Sequence, residues 1–267
     1  MKKGLGAVIL LVLTVCLNAG CASSPAGGRG LVDPDLTYSI EEDGEIKTIT
    51  ITGYTGTNKD LIIPSTIRGL QVTHIAAWAF FRNQLTSVSL PDSITHIGAL
   101  AFWGNELADL NIPDSVAYIG DNAFFWNQLS SLTIGNNITN IAHSVFNSNR
   151  LTGVNIPDSV TGIGNAAFLY NQLANITIGY KVSHIGEMAF AFNQLTSVVI
   201  PNSVTYIGAW AFSGNELTRI TIGGNVQISG HYDESDDSFI YFYHRQGRRA
   251  GTYIYSDGAW RTQLTTI

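Results

Sequence analysis

Residues 105–126 read NELADLNIPDSVAYIGDNAFFW, and each landmark in this stretch returns after 22 residues. A leucine follows the opening asparagine by two positions, and a phenylalanine precedes it by three, in seven successive registers. Such a fixed period predicts a solenoid, in which each unit packs only on its neighbours. The asparagines of the seven registers are Asn83, Asn105, Asn127, Asn149, Asn171, Asn193 and Asn215.

Each unit contains one short strand and a return arm. Leu107, Leu110 and Ile112 have the L-x-x-L-x-L spacing that is typical of the strand in leucine-rich repeats. Pro113 should end this strand because proline cannot donate a hydrogen bond to a neighbouring strand. The rest of the unit is too short for a helix of several turns. We therefore predict a leucine-rich repeat horseshoe of 22-residue units, mainly β, with 3₁₀ or irregular return arms.

The recurring asparagine is predicted to be structural. Stacked units place equivalent residues side by side, so the seven asparagines should form one column. A buried amide is costly unless it is hydrogen-bonded. The column is therefore expected to be a ladder that bonds to the backbone of adjacent units.

The two ends of the repeat region differ from its interior. Residues 36–60 contain two alternating runs around an acidic Gly turn, which predicts a hairpin cap ahead of the repeats at 61–224. Residues 225–267 are predicted to be a second cap. It contains a short helix with Phe239 and Tyr243 on one face, followed by a hairpin that turns at Asp257 and Gly258.

The N-terminus has the pattern of an export signal. Residues 1–20 combine two lysines with a short apolar run, and Cys21 follows small residues as in the lipobox of bacterial lipoproteins. Asn18 departs from the usual box, as in the relaxed boxes of spirochaete lipoproteins. An ordinary secretory signal with an incidental Cys21 is the alternative. We expect lipid attachment at Cys21, a flexible tether over 21–35, and a location at the cell envelope, on the outer membrane surface.

Composition excludes some classes of function. Only 13% of the residues are charged, and the formal net charge is −6. A nucleic-acid module would need a clustered basic face, so no nucleic-acid partner is expected. No recognisable nucleophile motif or cluster of ionisable residues indicates an enzyme, a cofactor or a small-molecule substrate.

The repeat resembles that of the BspA-like leucine-rich repeat family of bacterial surface proteins, which includes proteins of oral treponemes. The shared unit is N-x-L-T-x-V-x-I-P-x-S-V-T-x-I-G-x-x-A-F, and it extends from Ile75 to Ile222, with Gly135, Gly179 and Gly223 in place of the proline. The resemblance implies a right-handed solenoid on the surface of a spirochaete, anchored as a treponeme-like lipoprotein. It also implies a role in adhesion, without shared catalytic residues.

Two surfaces are candidates for binding. The first is the polar outward face of the strands, which includes Asn111 and Asn155. The second is an aromatic edge, expected to be a contiguous apolar strip with at least Trp103 and Trp126 partly exposed. The alternatives are an unspecialised solvated sheet and aromatic rings that tuck between the units. The residues of the aromatic edge are Phe81, Trp103, Phe125, Trp126, Tyr170 and Phe192.

Three further groups are weaker candidates. His74 and His96 should lie side by side, but two imidazoles without a third ligand make a poor zinc site. The acidic run at 233–237 lacks the pattern of a calcium-binding loop, and a solvated loop is the alternative. The basic run at 244–249 matches an anionic lipid or sulfated glycan, or a simple charged cap.

These observations predict a surface lipoprotein that binds other proteins, with adhesion to host matrix or to other bacteria as its role. The alternative is a lipoprotein that organises the envelope and has no specific ligand. An exposed aromatic edge favours the first hypothesis, and a wholly polar surface favours the second.

Overall fold

The protein is a β-solenoid. The structure, a computed structural model, describes residues 35–229 and 239–263. The described residues form eight coils with two short strands each, which confirms the predicted repeat fold. The signal segment, Cys21, nearly all of the tether and the acidic run at 233–237 lie outside the described residues, so the expectations for them remain predictions.

The first strand of each coil lies where the L-x-x-L-x-L spacing predicted it. We call these the front strands. They pair in parallel as β3–β6, β8–β10, β12–β14 and β16–β18, with like residues opposite each other. The front strands are β3 (Asp60–Ile62), β6 (Ser87–Ser89), β8 (Asp109–Asn111), β10 (Ser131–Thr133), β12 (Gly153–Asn155), β14 (Asn175–Thr177), β16 (Ser197–Val199) and β18 (Arg219–Ile222).

A second strand in each coil was not predicted, because the spacing of Val116 and Ile119 indicated only a tight turn. These back strands are mostly two residues long, too short to display an alternating pattern. They form two parallel sheets, β5–β7–β9 and β11–β13–β15–β17–β19. The back strands are β5 (Leu70–Ile75), β7 (His96–Ile97), β9 (Tyr118–Ile119), β11 (Asn140–Ile141), β13 (Gly162–Ile163), β15 (His184–Ile185), β17 (Tyr206–Ile207) and β19 (Gln227–Ile228). Turns without helix complete each coil.

The core lies between the front and back strands. Six of the recurring phenylalanines, from Phe80 to Phe190, are fully buried, and Phe212 in the last register is partly buried. Neighbouring rings in this column stack with centroids 4.9–5.9 Å apart. Because each ring covers the next, removing one would leave a cavity, which typically costs about 3–5 kcal/mol.

The asparagine column is a hydrogen-bonded ladder between coils. In Asn149, Nδ2 donates to the carbonyl oxygens of Phe146 in its own coil and Phe124 in the preceding one, at 3.1 and 3.0 Å. Its Oδ1 accepts the amide of Leu129 at 3.0 Å. The same three bonds recur at Asn105, Asn127, Asn171, Asn193 and Asn215. Asn83, at the start of the column, donates to Tyr54 O.

Strands and a helix that do not belong to the repeat lie at both ends of the solenoid. Strands β1 (Leu36–Asp43) and β2 (Ile46–Tyr54) form an antiparallel hairpin, and β2 pairs in parallel with the first back strand, β5. Strand β4 (Thr66–Ile67) folds back onto β5.

At the other end, α1 (Phe239–Arg245) precedes the hairpin β20 (Gly251–Ser256) and β21 (Ala259–Thr262). Strand β20 pairs antiparallel with the last front strand, β18, and so extends the front sheet. Tyr243 and Tyr253 are buried there, where their rings meet edge to face.

Candidate functional site: the aromatic edge

The aromatic edge is formed by the two residues that lie between the buried phenylalanine and the recurring asparagine of each coil. Two neighbouring columns make up this edge. The inner column contains Phe81, Trp103, Phe125, Asn147, Leu169, Ala191 and Ser213. The outer column contains Arg82, Gly104, Trp126, Ser148, Tyr170, Phe192 and Gly214.

Every residue of the outer column has a left-handed backbone. Gly104 and Gly214, both at φ 69°, show the residue type that this conformation favours. Trp126, Tyr170 and Phe192 occupy the same conformation at φ 54–56°. A bulky residue there is uncommon and costs about 1–2 kcal/mol relative to a right-handed backbone. The chain therefore carries exposed aromatic rings at positions where glycine would adopt the backbone conformation without strain.

The first coils carry one continuous aromatic cluster, formed by Trp78, Phe81, Trp103, Phe125 and Trp126. Phe81 stacks on Trp103 at 4.7 Å between ring centroids, and Trp103 stacks on Phe125 at 5.8 Å. Trp126 meets Trp103 edge to face at 5.3 Å, and Trp78 contacts Phe81 at 4.9 Å. The rings of the inner column are partly buried, whereas Trp78 is 54% and Trp126 53% exposed.

Arg82 completes this aromatic cluster. Its guanidinium carbon lies 4.6 Å from the ring centre of Trp103 and 5.4 Å from that of Trp126. Trp126 is two coils away, and the contact exists because Gly104 between them has no side chain. A cation over indole rings is attracted to their faces, so Arg82 holds the two tryptophans in place.

The predicted contiguous strip is wrong in one respect, because the structure divides it into two groups. Tyr170 and Phe192 stack on each other at 4.9 Å and are about half exposed, but Asn147 and Ser148 separate them from the aromatic cluster. The interruption occurs on a single coil, where both columns change to small polar residues.

Sequence reasoning missed Trp78 and Arg82 as members of this site. The signal for Arg82 was available, since it is 44 residues before Trp126 and occupies the same column. Trp78 precedes the buried phenylalanine, whereas the search followed the residues after it. Its own column is also left-handed, at φ 66° for Trp78 and 54° for Trp210.

The other candidate surface is the outward face of the front strands. Asn111 and Asn155 are exposed, as the alternation predicted. Val199, in the same column, is 65% exposed. The face therefore has polar and apolar side chains without any aromatic anchor on its outward column.

The histidine pair lies on the back strands. His74 and His96 stack in parallel with centroids 4.5 Å apart, and each Nδ1 hydrogen-bonds the preceding threonine. Stacked rings direct their remaining nitrogens side by side and not toward one ion. Among the described residues, no group of three potential metal ligands occurs. Burial, and then the neighbouring His96, lower the pKa of His74 below its ordinary value.

The predicted basic run begins in the last turn of α1, at His244 and Arg245, and continues just after the helix. Arg248 and Arg249 are exposed, and His244 is partly buried. In the part of the chain that the structure describes, no helix is long and apolar enough to span a bilayer.

Comparison with known families agrees with this geometry. The model of the BspA type leucine-rich repeat region matches six copies over residues 54–174 and 161–233, more than half of the chain. The chain belongs to the BspA-type leucine-rich repeat family. This family is defined by a repeat and not by an enzymatic site. No curated protein matches the chain.

Solved structures of bacterial leucine-rich repeat proteins share this BspA-type fold. A leucine-rich cell surface protein from Faecalibacterium prausnitzii is 26% identical, with a TM-score of 0.61 over 89% of this chain. This chain spans 61% of that protein's length. The leucine-rich repeat protein of T. pallidum is 28% identical, with a TM-score of 0.55 over 75% of this chain and 86% of its own. A Bacteroides ovatus protein, at 20% identity over 75% of this chain and 67% of its own, shows the fold alone, with a TM-score of 0.51.

Proposed function

We propose that this BspA-type protein is an exported surface lipoprotein that binds another protein through its aromatic cluster, as an adhesin for host matrix or for other bacteria. Lipid on Cys21 would anchor it to the outer membrane surface. The relaxed lipobox ending at Cys21 supports both the anchor and a spirochaete type of lipoprotein. The neighbour described as a cell surface protein supports the location.

The observation that carries the proposal is the exposure of Trp78 and Trp126 beside Arg82. Tryptophan and arginine are the residues most enriched among those that dominate protein interfaces. Here the tryptophan and arginine side chains already contact each other in the unbound protein, through stacking and cation–π interactions. A partner would therefore lose little side-chain entropy by ordering this surface, which favours affinity.

Backbone strain supports the same surface. Trp126 has a left-handed conformation that glycine adopts at equivalent positions of the outer column. Strained residues persist when the surrounding structure holds them, and they cluster at functional sites. Trp126 packs on Trp103 and Arg82, yet 53% of it stays exposed on a strained backbone, and binding explains that exposure better than folding alone.

Binding of residues 22–267 to immobilised extracellular-matrix proteins tests the role of the aromatic cluster. The double variant Trp78→Gly/Trp126→Gly should bind at least tenfold more weakly, since loss of an interface anchor costs about 2 kcal/mol or more. Glycine suits both left-handed positions, so folding should be preserved. Trp210→Gly is the matched control, because Trp210 has the same position in its coil as Trp78 and equal exposure, 54%.

Equal binding by the double variant and the control would remove the aromatic cluster from the proposal. Absence of binding to every matrix protein and to other bacterial cells would favour the envelope-organising alternative.

The lipid anchor is tested separately. The variant Cys21→Ala should abolish incorporation of labelled palmitate in the native host, and retained labelling would exclude Cys21 as the lipidated residue. Protease added to intact cells should degrade the wild-type protein if it faces outward.

A further inference from the structure

A polar groove separates the aromatic cluster from the Tyr170–Phe192 pair. The groove encloses about 570 Å³ and is lined by Trp126 and Tyr170 as walls, with Ser148 between them. Glu106, Gln128 and Arg150 lie on successive coils along its side. This volume is within the range of about 300–1,000 Å³ that is typical of ligand sites.

The two walls each have one covered face and one face toward the groove. Arg82 lies over the Trp126 ring from the N-terminal side, and Phe192 stacks on Tyr170 from the C-terminal side. Trp126 and Tyr170 are two coils apart, so their backbones are separated by about 10 Å at the usual strand spacing. A saturated six-membered ring in contact with both aromatic surfaces fills such a gap.

Three polar side chains along the groove are unused by the fold, whereas the ladder residues Asn105, Asn127 and Asn149 also line it. Within the described part of the chain, Glu106, Gln128 and Arg150 make no side-chain hydrogen bond or ion pair. They offer a carboxylate acceptor, an amide that donates and accepts, and a guanidinium donor. One negative and one positive charge leave the lining neutral overall.

The backbone beside the groove is already bonded between coils. The amide of Trp126 donates to Asn147 O at 3.0 Å, and that of Ser148 donates to Leu169 O at 2.8 Å. The amide of Arg150 donates to Leu129 O at 2.9 Å. An extended peptide that binds by adding a strand needs free backbone donors and acceptors, and these amides are not free. The groove must therefore recognise its ligand through side chains.

We propose that this groove binds a neutral saccharide unit of a glycan. The hydroxyl groups of a sugar both donate and accept hydrogen bonds, which matches the mixed set of Glu106, Gln128 and Arg150. The apolar C–H faces of a pyranose ring stack on aromatic faces such as those of Trp126 and Tyr170. The balanced charge of the lining selects against sulfated or otherwise polyanionic chains. The site is additional to the proposed protein-binding surface and shares only Trp126 with it.

Saturation-transfer NMR and tryptophan fluorescence on residues 22–267 test the assignment. The probes are neutral tetrasaccharides: cellotetraose, maltotetraose, N-acetylchitotetraose and lacto-N-tetraose. Heparin-derived tetrasaccharide serves as the anionic comparison. At least one neutral probe should give saturable binding, and the heparin fragment should bind to the groove at least tenfold more weakly, measured as the binding that Tyr170→Gly removes.

Two variants alter the groove and leave the rest of the aromatic cluster intact. Tyr170→Gly removes one wall, and Gly104 and Gly214 show that the position accepts glycine. Ser148→Arg places an arginine side chain in the groove. Arginine is tolerated in this column, since Arg82 occupies the equivalent position of an earlier coil. Both should weaken saccharide binding at least tenfold, whereas Trp210→Gly should leave it unchanged. Circular dichroism and unfolding transitions establish that each variant is folded.

Three outcomes would overturn the assignment. They are no saturable binding of any neutral saccharide, unchanged binding in folded Tyr170→Gly, and preferred binding of the heparin fragment that Tyr170→Gly weakens. Heparin binding that Tyr170→Gly leaves unchanged belongs to the basic run at 244–249 and not to the groove. If matrix-protein peptides compete at the groove and saccharides do not, the ligand is a peptide. Loss of protein binding in Trp78→Gly with saccharide binding retained would separate the two surfaces, so either proposal can fail alone.

Discussion

Gly135 packs against the carbonyl group of Pro113 in the preceding coil, so closely that a Cβ on Gly135 would lie 2.3 Å from that oxygen. Gly179 has the same relationship to Pro157, at 2.4 Å. These two contacts lie within the pairs β8–β10 and β12–β14. Strands β3 and β6 pair with Pro91 in the place of the glycine, and β16 and β18 pair although a Cβ on Gly223 would meet Asn202 at 3.2 Å and not a proline carbonyl. The front strands therefore pair every two coils, whereas the sequence pattern repeats every coil.

The hydrogen bonds follow the same pairing. The amide of Ile112 donates to Thr133 O at 3.0 Å, within the pair that contains Pro113 and Gly135. The Asp114 carboxylate, next to the proline, accepts the amide of Asn136, next to the glycine, at 2.8 Å. Front strands β8 and β10 are thus joined, whereas β10 and β12 belong to separate ladders.

Gly135→Ala should therefore lower the free energy of unfolding by about 1–3 kcal/mol, as expected for an atom forced into packed backbone. Chemical denaturation followed by circular dichroism measures this change. Gly153→Ala is the control, since the nearest atom to its Cβ would be Asn175 O at an ordinary 3.6 Å. Gly153 lies in β12, where alanine should be neutral or slightly stabilising. Equal losses in both variants would show that close approach to Pro113 is not the cause.

Asn149→Ala should lower the free energy of unfolding by about 1–3 kcal/mol, because it leaves the buried amide of Leu129 without its partner. It also removes one of the two bonds to Phe124 O, which keeps only the bond from Asn127. Asn83→Ala is the comparison. Asn83 is only partly buried, and its side chain donates to Tyr54 O alone among the described residues. A smaller loss is expected there. If Asn83→Ala is as destabilising as Asn149→Ala, the ladder bonds do not determine the cost.

The sequence predicted the solenoid and the asparagine ladder because both depend on one residue type at one fixed spacing. The pairing of coils was also present in the sequence, as the alternation of Pro113, Gly135, Pro157 and Gly179, but its meaning depends on a backbone distance. The back strands could not be predicted, because a strand of two residues such as Tyr118 and Ile119 is too short to show an alternation of apolar and polar side chains.

The aromatic edge was predictable as a set of residues but not as an arrangement. The spacing located Trp103 and Trp126. It gave no indication that Gly104 allows Arg82 to reach Trp126 from two coils away, because that contact depends on a missing side chain. The left-handed backbone of the outer column could not be predicted from the sequence either, because tryptophan and tyrosine ordinarily avoid that conformation.

Stability should fall as the pH drops below about 6.5, the ordinary pKa of histidine. In the folded protein, burial and then His96 lower the pKa of His74, so the unfolded chain binds the proton more readily. His74 therefore contributes full stability above the unfolded pKa and loses it as the pH falls through the lower folded value. Glu41 acts in the opposite sense but is the smallest of the three influences.

Denaturation midpoints at pH 7.5 and pH 5 measure this effect. His74→Gln should lose less stability between the two values than the wild type does. His184→Gln is the control, because His184 stacks on Tyr206 at 4.6 Å and has no second imidazole beside it. Burial and Arg248 lower the pKa of His244 as well, so some pH dependence should persist in His74→Gln. If the midpoint of His74→Gln changes between pH 7.5 and pH 5 as much as that of the wild type, the stacked histidine pair is not the cause.

Ala142 lies where the back strands separate into two sheets, and its methyl group distinguishes it from the glycines of the other inner coils. In the end coils, Ala76 and Ser229 occupy this position and still donate to the carbonyls of Ile51 and Ile207 at 2.8 Å. Most other coils have glycine at this position, and a Cβ on Gly120 would lie 2.4 Å from the amide nitrogen of Ala99 in the preceding coil. The amides of Gly120 and Gly164 each donate to an isoleucine carbonyl of the preceding coil at 2.8 Å. Among the described residues, no such bond joins Ala142 to Ile119, and the sheets separate there, between β9 and β11.

Ala142→Gly should therefore restore the missing bond, and hydrogen exchange measured by NMR should show at least tenfold greater protection of the amide at position 142. Gly164→Ala is the reciprocal variant. Its Cβ would meet Ile141 O at 2.8 Å, so protection at position 164 should fall. The global stability of Ala142→Gly is a weaker measure, since glycine also costs about 0.5–1 kcal/mol in chain entropy. If the amide at position 142 exchanges as fast in Ala142→Gly as in the wild type, the break has a cause other than this methyl group.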